Sequence, residues 1–287
     1  MFGIFDKIKE FFKELLLEGI QANLESMFID INEKVNTIAT DVGKTPMGFN
    51  SDVFSFIKNI NDSVIIPIAG LIITAILCIE LISIVMQRNN MQDTTTFDFF
   101  KYIIKMWIAV WFVSHAFTFS IAVFDVAQKL INQTAGVVNT SANISGEQIV
   151  AMIDTLKDKS LGELLMILFE TSLVKIAIQL ISIVILLVVY GRMFEIYVYS
   201  SVSAIPFATM GNRDWGQIGV NYIKGLFALG IQGLFLIVCL GIYVVLVKTI
   251  QITDIHTSIF LVLGYALLLG LMMLKSGTLA KSIMNAH

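Results

Sequence analysis

Apolar and polar positions follow two different rhythms along this chain. From 64 to 86, 103 to 124, 172 to 190, 225 to 247 and 258 to 274 the apolar residues run almost unbroken, each stretch long enough, with its flanks, to cross a hydrocarbon layer of about 30 Å as a helix. The first 63 residues instead repeat at three- and four-residue steps. Phe2, Phe5, Ile8, Phe12 and Leu15 mark one face, with Phe11 and Leu16 alongside, and Asp6, Lys7, Lys9, Glu10, Lys13 and Glu14 fill the other. The pattern continues through Leu24, Phe28, Ile31, Val35 and Ile38 until Gly43, Pro46, Gly48 and Asn50 stop it. The chain therefore reads as an all-α polytopic membrane protein. About five transmembrane helices, spanning 64–287 with their connections, follow an N-terminal amphipathic helical region over 1–63. That helix lies in the headgroup plane, docks on a partner or packs on the chain's own spans.

The connections differ in character. Residues 125–163 form the longest polar stretch, rich in Asn, Ser and Thr, with Asn-x-Ser/Thr triplets at Asn132, Asn139 and Asn143 and a predicted helix from Glu147 to Lys157. Residues 191–224 form a second, less polar connector. The apolar run ends at Gly191-Arg192, a tyrosine-bearing segment with Pro206 follows, and a polar turn over 211–216 closes it. A proline-broken segment after the third span needs protein, headgroups or water around its backbone, so function is sought there. Pro67 is expected in the first turn of the first span, where a missing N–H does no harm. Gly225, Gly230, Gly233 and Gly241 in the fourth span permit close helix approach.

Composition confirms the class. Hydrophobic residues make up 56% of the chain and charged ones 14%, against about a quarter charged in a soluble domain. The net charge of −3 points to no strongly charged partner, and both cysteines, Cys78 and Cys239, fall in apolar spans as expected buried thiols. Arg88, Lys101, Lys105, Arg192, Arg213, Lys224, Lys275 and Lys281 lie on one side of the five-span layout. Lys58, Lys129, Lys157, Lys159 and Lys248 lie on the other. The positive-inside rule then puts the C-terminus in the cytoplasm and the N-terminus outside.

Intramembrane polar residues are the remaining candidates: Glu80, His115, Glu170 and Lys175. Glu80 is expected to reach the interface in preference to lining a lumen or pairing with a basic group on another helix, and His115 to be a buried, hydrogen-bonded residue in preference to a proton relay. Glu170 and Lys175 are expected to snorkel to the surface. Together the four would suit a small-solute pathway. No HExxH, GxSxG or GxxxxGK[ST] pattern occurs and no Cys/His cluster has ligand spacing, so neither an enzyme nor a metal or cofactor site is expected.

The run from Arg192 to Tyr199, RMFEIYVY, followed by Ser203-Ala-Ile-Pro-Phe-Ala-Thr-Met-Gly211, a Gly/Trp turn and a Gly-rich span, resembles the TrbL family. These are polytopic inner-membrane subunits of conjugative type IV secretion systems, and the chain is most similar to versions on Firmicutes mobile elements. The resemblance implies a platform or channel subunit that forms a homo-oligomer, meets other secretion subunits and assists transfer of relaxase-bound single-stranded DNA. It implies no small-molecule substrate. On that reading Arg192, Glu195, Pro206, Arg213 and Trp215 are the connector and assembly residues, with Arg192 and Glu195 as an i,i+3 pair.

Overall fold

The computed structural model describes residues 2–87, 96–139, 152–212, 214–250 and 255–286. Most of these residues are helical, joined by short turns, with no strand among them. In order they form α1 (Phe2–Val42), α2 (Pro46–Phe49), α3 (Ser51–Ile60), α4 (Ile66–Gln87), α5 (Thr96–Ser114) and α6 (Ala116–Asn139). After a helical turn at 152–156 come α7 (Leu161–Ser201), α8 (Ala204–Thr209), α9 (Gly216–Lys248) and α10 (Ile255–Ile283). Four helices among the described residues are long and apolar enough to cross a membrane: α3 with α4, then α7, α9 and α10; the bent pair α5–α6 makes up to five.

The chain divides into two compact units. The first holds residues 1–43, 131–189 and 235–276. Here α1 buries Leu16, Ile20, Leu24 and Met27, spaced by four, four and three, and Asn23 Nδ2 donates to Ser172 Oγ at 2.9 Å and Thr171 Oγ1 at 3.3 Å on α7. The expected face of α1 is covered only in part: Leu16 is buried, whereas Ile8, Phe11, Phe12 and Leu15 stay exposed. The second unit holds residues 44–130, 190–234 and 277–287, and its core gathers Ala69 and Ile73 of α4, Phe117 and Phe124 of α6, Ile196 and Tyr197 of α7, Phe207 of α8 and Leu226 of α9.

Three local features depart from the sequence reading. Pro67 does not open a helix. A helix begins at Ser51, where the Asn50 side chain accepts from the N–H groups of Asp52 (3.1 Å) and Val53 (3.0 Å), and it runs through a π-helical turn at Asn61–Ile65 into α4. Proline at 67 supplies no N–H to the carbonyl of Ser63 and its ring crowds that carbonyl; widening the preceding turn relieves both, with the Ile66 N–H reaching back to Asn61. The second predicted span is bent by 64° at His115. Ser114 Oγ donates to the Val110 carbonyl at 2.9 Å, and the His115 N–H is shared between the carbonyls of Trp111 (3.1 Å) and Phe112 (3.3 Å), a pattern that bends helices. The predicted polar connection from 125 is helical as far as Asn139, because Phe124, Gln128, Ile131, Ala135 and Val138 keep a buried stripe at helical spacing. Asn143 and the predicted helix start at Glu147 lie outside the described residues.

Two further expectations are corrected. Cys78 is exposed and Cys239 only half-buried, on the outward sides of apolar helices. The third apolar run does not stop at Gly191-Arg192; α7 continues through both to Ser201. Arg192 folds inward and has no need to reach water.

Candidate functional site

The site is the segment 190–216 with the elements of the second unit that hold it. Pro206 sets its shape one turn upstream. A helix continuing from α7 would need the Pro206 N–H for the Val202 carbonyl, and the ring would crowd that oxygen, so α7 ends at Ser201 and the chain turns at Val202-Ser203. Pro206 then sits third in α8, in a first turn whose N–H groups have no helical acceptor in any case. It is half-buried, while Ala204, Phe207, Ala208 and Thr209 around it are buried.

Four contacts fix this segment. Arg192 is 4% exposed, and its Nε–H donates to the Leu229 carbonyl of α9 at 3.0 Å. The Tyr197 hydroxyl donates to the Pro46 carbonyl at 2.7 Å, which pins the 45–50 segment against the last turns of α7. Ser203 donates to Asn61 Oδ1 at 3.3 Å, which ties the turn to the π-helical turn before α4. The Tyr222 hydroxyl donates to the Tyr199 carbonyl at 2.8 Å and lies 3.2 Å from the Ser120 hydroxyl of α6. The Tyr199 and Tyr222 rings stack with centroids 5.3 Å apart. Two glycines make the closeness possible. A Cβ on Gly225 would lie 2.9 Å from Tyr199 Cε1, and one on Gly219 would lie 2.1 Å from Met210 Cγ and 2.6 Å from the Pro206 carbonyl oxygen.

Arg192 and Glu195 are not paired. Glu195 points outward, and among the described residues no acid forms an ion pair with Arg192. A buried cation held by a backbone carbonyl is costly and serves here as an anchor between α7 and α9. Trp215 is 53% exposed; its N–H and that of Asp214 bond to Asn212 Oδ1 at 3.0 and 2.8 Å, capping the turn before α9. Arg213 lies outside the described residues.

Two of the four polar residues, Glu80 and Glu170, are paired, each with a base on another helix. Glu80 forms an ion pair with Lys105 of α5 and does not reach out alone, while its second oxygen, Oε2, is buried without a partner. Glu170 takes a 2.5 Å hydrogen bond from His256 Nδ1 of α10, so it too is paired and not snorkelling. His115 is exposed at the bend, with Nδ1 2.9 Å from the Trp111 carbonyl, and Lys175 is half-buried. Glu80 and His115 belong to the second unit, Glu170 and Lys175 to the first. The groove along α5 is lined by neither Glu80 nor His115, and the cavity beside Glu170 does not include Lys175. Sequence reasoning missed Tyr222, Asn61 and His256, and the Asn61 partner of Ser203, because these contacts join residues 23 to 142 positions apart, too far along the chain for any spacing to signal them.

The TrbL/VirB6 plasmid conjugal transfer like proteins match residues 31–204, more than half of the chain. The chain belongs to this family. The TrbL/VirB6 match takes in the end of α1, α2, α3, α4, the bent pair and all of α7, and ends at the first residue of α8. It places the chain among conjugal transfer proteins and, with its apolar helices, makes it a multi-pass membrane protein of that class. No curated protein and no solved structure matches the TrbL/VirB6 chain.

Proposed function

We propose that the chain is a membrane-platform or channel-bracing subunit of a conjugative type IV secretion system, which assembles with copies of itself and with other secretion subunits to assist passage of relaxase-bound single-stranded DNA. It acts as a scaffold and not as an enzyme. The observation that carries this reading is the outward stripe of α7. Leu165, Phe169, Leu173, Ile176, Leu180, Ile183, Leu187, Tyr190, Phe194 and Val198 are all exposed, at three- and four-residue steps. At 1.5 Å per residue the stripe runs about 50 Å. A 40° tilt still leaves about 38 Å along the membrane normal, against a hydrocarbon thickness of about 30 Å. Lipid can cover the middle of the stripe but not both ends. The Phe194–Val198 end, rigidly backed by Arg192 and Tyr197, is the better-built surface for another protein.

Phe194→Glu places a charge on that surface without touching the core. Donor cells carrying it should keep normal levels of the membrane-inserted chain while DNA transfer falls by an order of magnitude or more, about 1.4 kcal/mol of lost contact. Transfer at the wild-type rate would count against the contact. The solute-pathway reading is the less favoured, because Glu80 and Glu170 are each taken up by a base on another helix and neither His115 nor Lys175 lines the groove along α5 or the cavity beside Glu170; uptake of small solutes should be unchanged in cells lacking the chain.

The same reading puts the N-terminus outside and the C-terminus in the cytoplasm. Single cysteines at Asn139 and Asn285, in a chain with Cys78 and Cys239 replaced by alanine, should react with a membrane-impermeant maleimide from opposite sides. Labelling of both from one side would overturn the five-crossing layout.

A further inference from the structure

We infer that the groove along α5 binds one acyl chain and the headgroup phosphate of an anionic phospholipid. The groove encloses about 440 Å³, within the size range of small-molecule sites. Ile104, Ile108, Ala109 and Phe112 of α5 form one wall, Phe207, Met210 and Gly211 the other. The wall is apolar except at one end, where Lys101 and Lys105, one helical turn apart, line it together. An apolar trough closed by two ammonium groups matches a lipid, whose chain is apolar and whose phosphate is negative. It does not match a nucleic-acid strand, which would need cations along its whole length and polar or stacking surfaces between them.

The two lysines are held differently. Lys105 is tethered to Glu80, and its stem passes within 4.0 Å of where a Cβ on Gly211 would stand, so its ammonium stays at the mouth of the groove. Lys101 stacks its ammonium over the Phe97 ring, 4.5 Å from the centroid, and has no acid partner among the described residues. Glu80 neutralises one of the two charges and leaves a net positive end, as a single phosphate diester requires. Trp107 and Trp111, both exposed on α5, are the sequence neighbours of the groove-lining Ile108 and Phe112.

The full chain with Trp215→Phe, reconstituted in phosphatidylcholine nanodiscs, tests this, because Trp107 and Trp111 are then the tryptophans that report. Brominated-chain phosphatidylglycerol should quench them more than brominated-chain phosphatidylcholine at the same mole fraction. Lys101→Gln should lower that preference about fivefold. Lys101→Arg should retain it, and Lys281→Gln, a charge lost elsewhere on the chain, should leave it unchanged. Equal quenching by the two lipids, an equal loss in Lys101→Gln and Lys281→Gln, or displacement of the brominated lipid by an oligodeoxythymidylate would each overturn the proposal. Lys101 pairs with no acid among the described residues, so its variant is expected to fold.

Discussion

Gly219→Ala is expected to unseat α8 from α9. The added Cβ would sit 2.6 Å from the Pro206 carbonyl oxygen and 2.1 Å from Met210 Cγ. Met210 is 37% exposed and can swing away, but the carbonyl is backbone and moves only if the Val202–Met210 segment moves with it. Overpacking of this kind costs about 3 kcal/mol. The segment carries the Ser203–Asn61 bond and Phe207 in the core, so the loss spreads into the second unit. A thermal unfolding scan in detergent should show a clear drop for Gly219→Ala. Gly191→Ala, a helical position with nothing within 4 Å of the new atom, should instead gain about 0.5–1 kcal/mol, as alanine does over glycine inside a helix. Equal stability of the two variants would show that the close approach is not what holds the connector.

Arg192→Ala is expected to loosen α7 from α9. It removes the bond to the Leu229 carbonyl, and hydrogen bonds made by charged groups contribute about 1.5–3 kcal/mol. It also empties the space of a long buried side chain whose methylene stem packs in the core. Arg192→Met restores most of that packing and relieves the cost of an unbalanced buried charge, so its stability should lie well above that of Arg192→Ala. Leu229 loses no necessary partner in either variant, because its oxygen also serves the helix ladder of α9. If Arg192→Ala unfolds at the wild-type temperature, the guanidinium is not an anchor. If Arg192→Met is the less stable of the two, its charge is balanced by a group other than those described.

Much of the fold was legible because it rests on periodicity and on local chemistry. The apolar runs became α4, α7, α9 and α10, and α1 ends at Val42, next to Gly43 and four residues before Pro46, which has no N–H to give the Val42 carbonyl in a continuing helix. Pro206 broke the chain for the expected reason, though at Val202-Ser203, since proline acts on the carbonyl four residues before it. Pro67 has the same chemistry with another outcome: the helix absorbed it in a π-helical turn, and only the packing of Asn61 against Ser203 shows why that turn is kept. Position along the chain could not reveal the pairs. Lys105 is 25 residues from Glu80 and His256 is 86 from Glu170, separations set by which helices meet. Arg192 misled for a related reason. A basic residue after an apolar run usually marks the membrane edge, and nothing local distinguishes it from one turned inward to a carbonyl 37 residues away.

The outward end of α7 is where the account is most exposed to test. Phe194→Cys, in a chain whose Cys78 and Cys239 are alanine, should cross-link with a short bismaleimide in membranes of transfer-competent cells, giving an adduct of the chain with itself or with an identified secretion subunit. Ile183→Cys, on the same stripe but in the stretch assigned to lipid, should remain monomeric. Phe194→Cys that stays monomeric while transfer proceeds at the normal rate would contradict the assignment of this face to assembly.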